Sequence, residues 1–198
     1  MANSKIIPVI LASVSPRRIE LLKQCGLKFE VIPSHIKENT LHKNPANIVK
    51  DLALQKAMHV AKKFSKGIVI GADTIVVYKK KIIGKPKNTK DAGRILSMLN
   101  GTFHRVYTGI AVIDAQSGTL KAACEVSRVK MRKLTADEIK GFSGKHMDKA
   151  GAYAVQEKDD AFVDYIVGDY YNVVGLPLKK LAELLKGFKI KLRYKKLY

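Results

Sequence analysis

The chain has no tryptophan, only 7% aromatic residues and just two cysteines, Cys25 and Cys124. Two cysteines cannot build a disulfide scaffold, and their scarcity suits a reducing compartment. The few aromatics form no RNA-binding signature. No apolar run approaches the roughly 18–20 residues that cross a bilayer. The early run Ile6–Ala12 leads into Ser13-Val14-Ser15-Pro16-Arg17-Arg18 rather than a small-residue cleavage site. It therefore reads as a first strand, and the protein as cytoplasmic with no membrane partner. Acidic residues are also scarce, 17 against 37 basic, a net charge of +20. That excess attracts polyanions such as nucleic acid, anionic membranes or phosphorylated metabolites. Because the lysines are spread along the whole chain, the excess reads first as a solvated surface. Among reactive motifs, the five histidines lack ligand spacing, and there is no HExxH, Cys-x-x-Cys, GxSxG elbow or P-loop.

What is present points to a globular α/β protein. With 198 residues, 46% of them hydrophobic, the chain can bury an ample core, and residues 1–198 read as a single domain. Apolar runs alternate with helical periods. Strands are expected at Ile6–Ala12, Phe29–Pro33, Ile68–Ala72 and Thr74–Tyr78, the last two separated by a break at Asp73. Lys79-Lys80-Lys81 reads as a hairpin turn into Ile82-Ile83, and Val106–Asp114 with Leu120–Lys133 as a long hairpin. Ala150–Val155 and Ala161–Val167 read as further strands. Helices are expected from Ser15-Pro16 to about Gln24, with Ser15 as cap, from Pro45 to about Phe64, and from a Thr89 cap to Asn100. A short helix follows the capping box Thr135-x-x-Glu138, and another starts at Pro177. The long hairpin makes the sheet mixed and partly antiparallel, flanked by helices. From Lys179 to Lys196 there are eight basic residues and one acid, Glu183, and the alternation Phe188, Ile190, Leu192, Tyr194 reads as an edge strand or an interaction tail.

Several residues break local rules, which is where functional sites are expected. Arg17 and Arg18 sit in the first turn of a helix, where the dipole disfavours cations. Free N–H groups, two guanidinium forks and the hydroxyls of Ser13 and Ser15 would cradle a triphosphate, unless the arginines are simply exposed. Lys56 falls on the apolar stripe Val49, Leu52, Ala53, Val60, Phe64, so it either snorkels outward or points into a cleft. Asp73 interrupts a buried run, which requires a partner, a metal or a turn. Gly84-Lys85-Pro86 follows a strand. In Asp148-Lys149-Ala150-Gly151-Ala152-Tyr153-Ala154-Val155-Gln156, small residues allow close approach to a ligand and Gln156 offers a two-sided hydrogen bond to a base edge.

In order along the chain, the segments Leu11–Leu22, Gln55-Lys56-Ala57, Gly71-Ala72-Asp73-Thr74, Gly84-Lys85-Pro86, Asp148–Tyr153, and Gly168-Asp169-Tyr170 with Asn172–Leu178 resemble the Maf proteins, nucleoside triphosphate pyrophosphatases named for septum formation. The resemblance implies an inosine-triphosphatase-like α/β fold with two lobes around a cleft, and a homodimer in many members. It implies hydrolysis of a nucleoside triphosphate substrate to the monophosphate and pyrophosphate, with a divalent metal cation (Mg2+, Mn2+ or Co2+) as cofactor. Pro16-Arg17-Arg18, Ala72-Asp73-Thr74 and Gln156 resemble the branch acting on dTTP, UTP and modified pyrimidine triphosphates, rather than the branch acting on 7-methyl-GTP. On this resemblance Asp73 holds the metal or activates water, and Glu38 helps hold the metal. Ser13, Arg17, Arg18, Lys56 and Lys85 bind the phosphates, and Thr74 and Gln156 face the base. After Gln156 the family continues with Gly-x-Gly, whereas this chain has Glu157-Lys158-Asp159-Asp160-Ala161, a departure in the base-side loop. The competing class is a non-catalytic septum regulator or a basic nucleic-acid-binding protein, and no specific nucleic acid is expected for the enzyme.

Overall fold

The computed structural model describes residues 7–155 and 162–194. Along the chain come β1 (Val9–Leu11), α1 (Pro16–Gln24), β2 (Glu30–Val31), α2 (Pro45–Ala61), β3 (Ile68–Tyr78) and β4 (Lys81–Ile83). Then follow α3 (Thr89–Leu99), β5 (Phe103–Asp114), β6 (Leu120–Met131), α4 (Ala136–Phe142), β7 (Val163–Val167), α5 (Tyr170–Val174) and α6 (Leu178–Lys186). The strands form one sheet in the order β2-β1-β3-β5-β6-β7, with β4 paired to β3. β1 runs parallel to β2 and β3, and every other pairing is antiparallel, so the sheet is mixed as expected.

Alternation along the strands assigns the two faces. On one face, α1 and α6 pack Leu21, Leu22, Leu181 and Leu185 against Leu11, Ile70 and Val112. Farther along the same strands, α3 packs Ile95, Leu96 and Leu99 against Val76, Val106 and Val129. The long strands thus run through two packing units, the two lobes, and the cleft opens where one gives way to the other, beside Asp73 and Thr74. On the opposite face α2 sets Ala53, Ala57 and Val60 on Ile10, Val69 and Ala111.

Two glycines let α2 lie directly on the sheet. A methyl group on Gly71 would overlap the Ala53 carbonyl oxygen, and one on Gly109 the Val49 carbonyl oxygen. Because the obstacle is backbone, the helix must move. Gly109→Ala is expected to cost about 3 kcal/mol, the upper range for overpacking. This corresponds to a Tm lowered by roughly 6–12 °C. A thermal melt within 2 °C of the parent protein would show that α2 does not need this contact.

Five local expectations are corrected. Asp73 does not break a strand: β3 is continuous, and Asp73 pairs with Gly109 of β5. Its carboxylate has a partner outside the strand, so nothing forces the backbone to turn. Asn88 rather than Thr89 caps α3, its Oδ1 accepting from the Asp91 N–H at 2.9 Å. Ser15 occupies the cap position of α1 but its side chain makes no capping bond. Ala150–Ala152 is a 3-10 turn, not a strand, with φ of +81° at Gly151 and +59° at Ala152, backbone values that a strand cannot contain. The alternating Phe188-to-Tyr194 segment is no edge strand either: Phe188 and Leu192 close the α1–α6 cluster from an irregular path. The capping box Thr135/Glu138 forms as read, and the hairpin turn is confined to Lys79-Lys80, both at positive φ, with Lys81 already the first residue of β4.

Candidate active site

The cleft has a volume of about 760 Å³. Ser13, Arg17, Arg18, Glu38, Lys56, Asp73, Thr74 and Lys85 all line it, although they come from five separate segments. Gln156 lies outside the described residues.

At its centre the Lys56 ammonium lies between two carboxylates, 2.7 Å from Asp73 Oδ1 and 2.8 Å from Glu38 Oε1. The Lys56 side chain is 13% exposed and that of Asp73 11%, whereas Glu38 is 48% exposed and forms the outer edge of the triad. The position of Lys56 on the apolar stripe of α2 is what carries it inward to β3, so the cleft alternative holds and the outward one does not. The loop bearing Glu38 is tied to the same helix: Gln55 Nε2 donates to the Asn39 carbonyl at 2.7 Å and to Asp51 Oδ2 at 3.0 Å. Pairing explains how a carboxylate is tolerated in a run that is otherwise apolar.

Arg18 is a clamp. Nε donates to the Gly175 carbonyl at 2.8 Å, Nη1 to the Ala72 carbonyl at 3.0 Å and to Ser13 Oγ at 3.2 Å, and Nη2 to Thr74 Oγ1 at 3.1 Å. Four of the five guanidinium N–H groups are thereby engaged within the protein, leaving one for a ligand. Burial pulls its pKa below the ordinary arginine value, and the charge of Asp73 works in the opposite direction. Thr74 Oγ1 also meets Thr108 Oγ1 at 3.0 Å, and Thr108 donates to the Asn172 carbonyl. As neighbours on a strand, Asp73 and Thr74 project to opposite faces. Asp73 meets Lys56, which also pairs with Glu38, whereas Thr74 meets Arg18 and, through Thr108, the segment around α5.

The far wall is only partly legible in the sequence. Gly151 N–H donates to the Gly84 carbonyl at 3.2 Å, which joins the small-residue turn to the Gly84-Lys85-Pro86 loop. Lys149, 13% exposed, reaches Asp148 Oδ1 at 2.9 Å. Burial raises the Asp148 pKa, but the Lys149 hydrogen bond and charge outweigh it and hold the carboxyl below its usual range. Both residues line the cleft. A lysine and a carboxylate ahead of a glycine turn were the available signal, obscured because the run looked like a strand.

Tyr153 closes the cleft floor and hydrogen-bonds to Nε2 of buried His104. Burial lowers the His104 pKa to about 4. In the unfolded chain it is near 6.5. The unfolded state therefore takes up the proton first as pH falls. The stability from neutral His104 is fully present above pH 6.5 and is lost between pH 6.5 and 4, about 3 kcal/mol in all. His104→Gln keeps a partner for Tyr153 and removes the titration. Urea denaturation is expected to show a shallower loss of stability over this window in the variant, and parallel curves would contradict the assignment.

Residues 8–188 match the sequence profile of the family described as Maf-like protein. This chain belongs to the Maf-like protein family. The Maf-like chain is similar to a protein of Alkaliphilus metalliredigens named dTTP/UTP pyrophosphatase, 51% identical over 93% of this chain and 98% of that one. A protein of the same name from Elusimicrobium minutum is 48% identical over 91% of this chain and 98% of its own length. Among solved structures, that of the Staphylococcus aureus Ham1 protein is similar over 91% of this chain and 99% of that one, at 16% identity and a TM-score of 0.49. No described helix of the Maf-like chain is long and apolar enough to cross a membrane.

Proposed function

We propose that this chain hydrolyses nucleoside triphosphates, dTTP and UTP foremost, to the monophosphate and pyrophosphate. The observation that carries the reading is the Glu38–Lys56–Asp73 triad set in a cleft beside the arginine-bearing first turn of α1. The names of the relatives from A. metalliredigens and E. minutum support the substrate class.

In this reading Arg17, Lys56 and Lys85, with Ser13 and the N-terminal N–H groups of α1, hold the phosphates. Arg18 adds its one remaining N–H and fixes the walls. A water attacks the α-phosphorus in line with the bridging oxygen to the β-phosphorus, and that bond breaks. Asp73 accepts the proton of the water, and pyrophosphate departs with its charge matched by Arg17 and Lys85. Thr74 lies on the face opposite Asp73 and, together with Gln156, serves the base.

The donor set fits a divalent cation in one way only. Among the described residues no group of three or more His, Cys, Asp and Glu could hold an ion alone. Two carboxylates with no sulfur or imidazole suit Mg2+ or Mn2+, which complete their shell with waters and phosphate oxygens. Glu38 and Asp73 would hold it. Such an ion supplies charge neutralisation at the phosphates and polarisation at the reacting phosphorus. The cytoplasm suits the two unpaired cysteines, whose thiols burial pushes up to about 11 and so keeps unreactive.

The test is a panel of dTTP, UTP, CTP, GTP, ITP and 7-methyl-GTP with Mg2+, Mn2+ or Co2+, reading monophosphate and pyrophosphate together. Equimolar pyrophosphate and monophosphate from dTTP or UTP is expected. Turnover confined to purine nucleotides would move the substrate to the other branch. Release of orthophosphate alone, or no release at all, would overturn the reaction.

A further inference from the structure

The face of the sheet that α2 covers at Gly71 and Gly109 is left open farther along the strands. Register places Phe103, Lys130 and Tyr165 in one row across β5, β6 and β7, Arg105, Arg128 and Val167 in the next, and Tyr107 with Val126 in a third. All point to the same side. Phe103, Val126, Tyr165 and Val167 are among the exposed large hydrophobic residues, and Arg105 and Arg128 are exposed beside them. We propose that this open face binds single-stranded nucleic acid, with Arg105, Arg128 and Lys130 on the phosphates and Phe103, Tyr107 and Tyr165 as stacking platforms for bases.

Three observations carry this. First, aromatic and cationic side chains are interleaved here, in a chain with few aromatics. The Arg128 guanidinium carbon lies 4.7 Å and Lys130 Nζ 5.1 Å from the Phe103 ring centre, and Tyr165 meets that ring edge-on at 5.8 Å. Lys130 is further steadied by donating to the Gly101 carbonyl at 2.7 Å. Aromatic and guanidinium planes on an open sheet are how unpaired bases are bound without sequence readout. Second, no carboxylate occupies an outward position in these rows, so the face is uniformly cationic. Third, that charge selects the occupant. A second copy of this chain would bring the same arginines and another +20 against the face, whereas a polyanion releases counterions on binding. None of these six side chains lines the phosphate cleft, and the occupant of the face need not be a substrate there.

The experiment uses fluorescence anisotropy with a labelled oligo(U) of roughly 12 nucleotides, within the usual footprint of such surfaces, ending in hydroxyls and assayed with excess dTTP to block the cleft. Micromolar binding that weakens steeply with salt is expected. Arg105→Gln/Arg128→Gln/Lys130→Gln is expected to weaken it at least about tenfold, and Tyr165→Ala, which leaves charge unchanged, about fivefold or more. Lys186→Gln/Lys189→Gln/Lys191→Gln removes the same charge elsewhere and is expected to change affinity by less than about threefold. Circular dichroism confirms folding of each variant. The proposal is overturned by no binding, by equal loss in the two charge variants with none in Tyr165→Ala, or by a dimer in sedimentation that Tyr165→Ala dissolves while oligonucleotide binding is unchanged. The last outcome would give the face to a second copy.

Discussion

Asp73→Asn is expected to lower kcat for pyrophosphate release by roughly 10²–10⁴-fold, the usual contribution of a positioned general base. The asparagine retains the shape of the side chain and an oxygen that can accept from Lys56. Glu38, 2.8 Å from the same ammonium, keeps that buried charge paired, so the variant is expected to fold. It loses the negative charge and the capacity to take up a proton. If Asp73 also holds the cation, the metal concentration giving half-maximal rate rises in the same variant, a readout that a purely structural role would not move. Near-normal turnover of Asp73→Asn at saturating metal and dTTP would remove Asp73 from the mechanism.

Arg18→Ala is expected to be the most destabilising single change near the cleft. The guanidinium satisfies the carbonyls of Ala72 and Gly175, which belong to β3 and to the turn after α5. Truncation leaves buried acceptors without donors, at about 1–3 kcal/mol each. A total of about 4 kcal/mol corresponds to a Tm lower by roughly 8–16 °C. Arg18→Lys is expected to recover little, because one ammonium cannot reproduce a planar fork with four acceptors at fixed positions. Since the Ala72 carbonyl directly precedes Asp73, activity should fall in the folded fraction as well. A Tm within 3 °C of the parent for Arg18→Ala would mean that water replaces the clamp at no cost.

The parts of the molecule legible in its sequence are those governed by short-range rules. The helix from Pro45 follows from its proline and stripe, and Lys56 announces itself by breaking that stripe. The β5–β6 hairpin follows from two long runs around Ser117-Gly118. The parts that misread depend on partners distant in the chain. The break expected at Asp73 assumed that a carboxylate cannot stand in a buried strand, yet its partner lies on α2, 17 residues earlier. Glu38 has no local signal, and only the family resemblance points to it. Helix α5 was not anticipated, because it is held by Asn172, whose amide donates to the Val106 carbonyl and to Ser127 Oγ across the sheet. The turn at Ala150–Ala152 looked like a strand because small apolar residues carry no information about φ. For Arg18, spacing suggested a phosphate ligand equal to Arg17. In the structure Arg18 donates to two carbonyls and two hydroxyls of the protein itself.

The packing of α6 has a consequence for when the protein becomes competent during synthesis. Leu181, Leu185, Phe188 and Leu192 share one cluster with Leu21, Leu22 and Cys25 of the first helix and with β1. A helix synthesised long after α1 thus supports the element that presents Arg17 and Arg18. A nascent chain already carrying Glu38, Lys56, Asp73 and Lys85 still lacks the surface against which α1 is oriented, and lacks the Gly175 carbonyl that Arg18 grips. The contacts that assemble the cleft are among the longest-range in the fold, and such contacts form late. Nucleotide binding and completion of the fold should therefore arise together, and a chain stopped before α6 would bind no triphosphate.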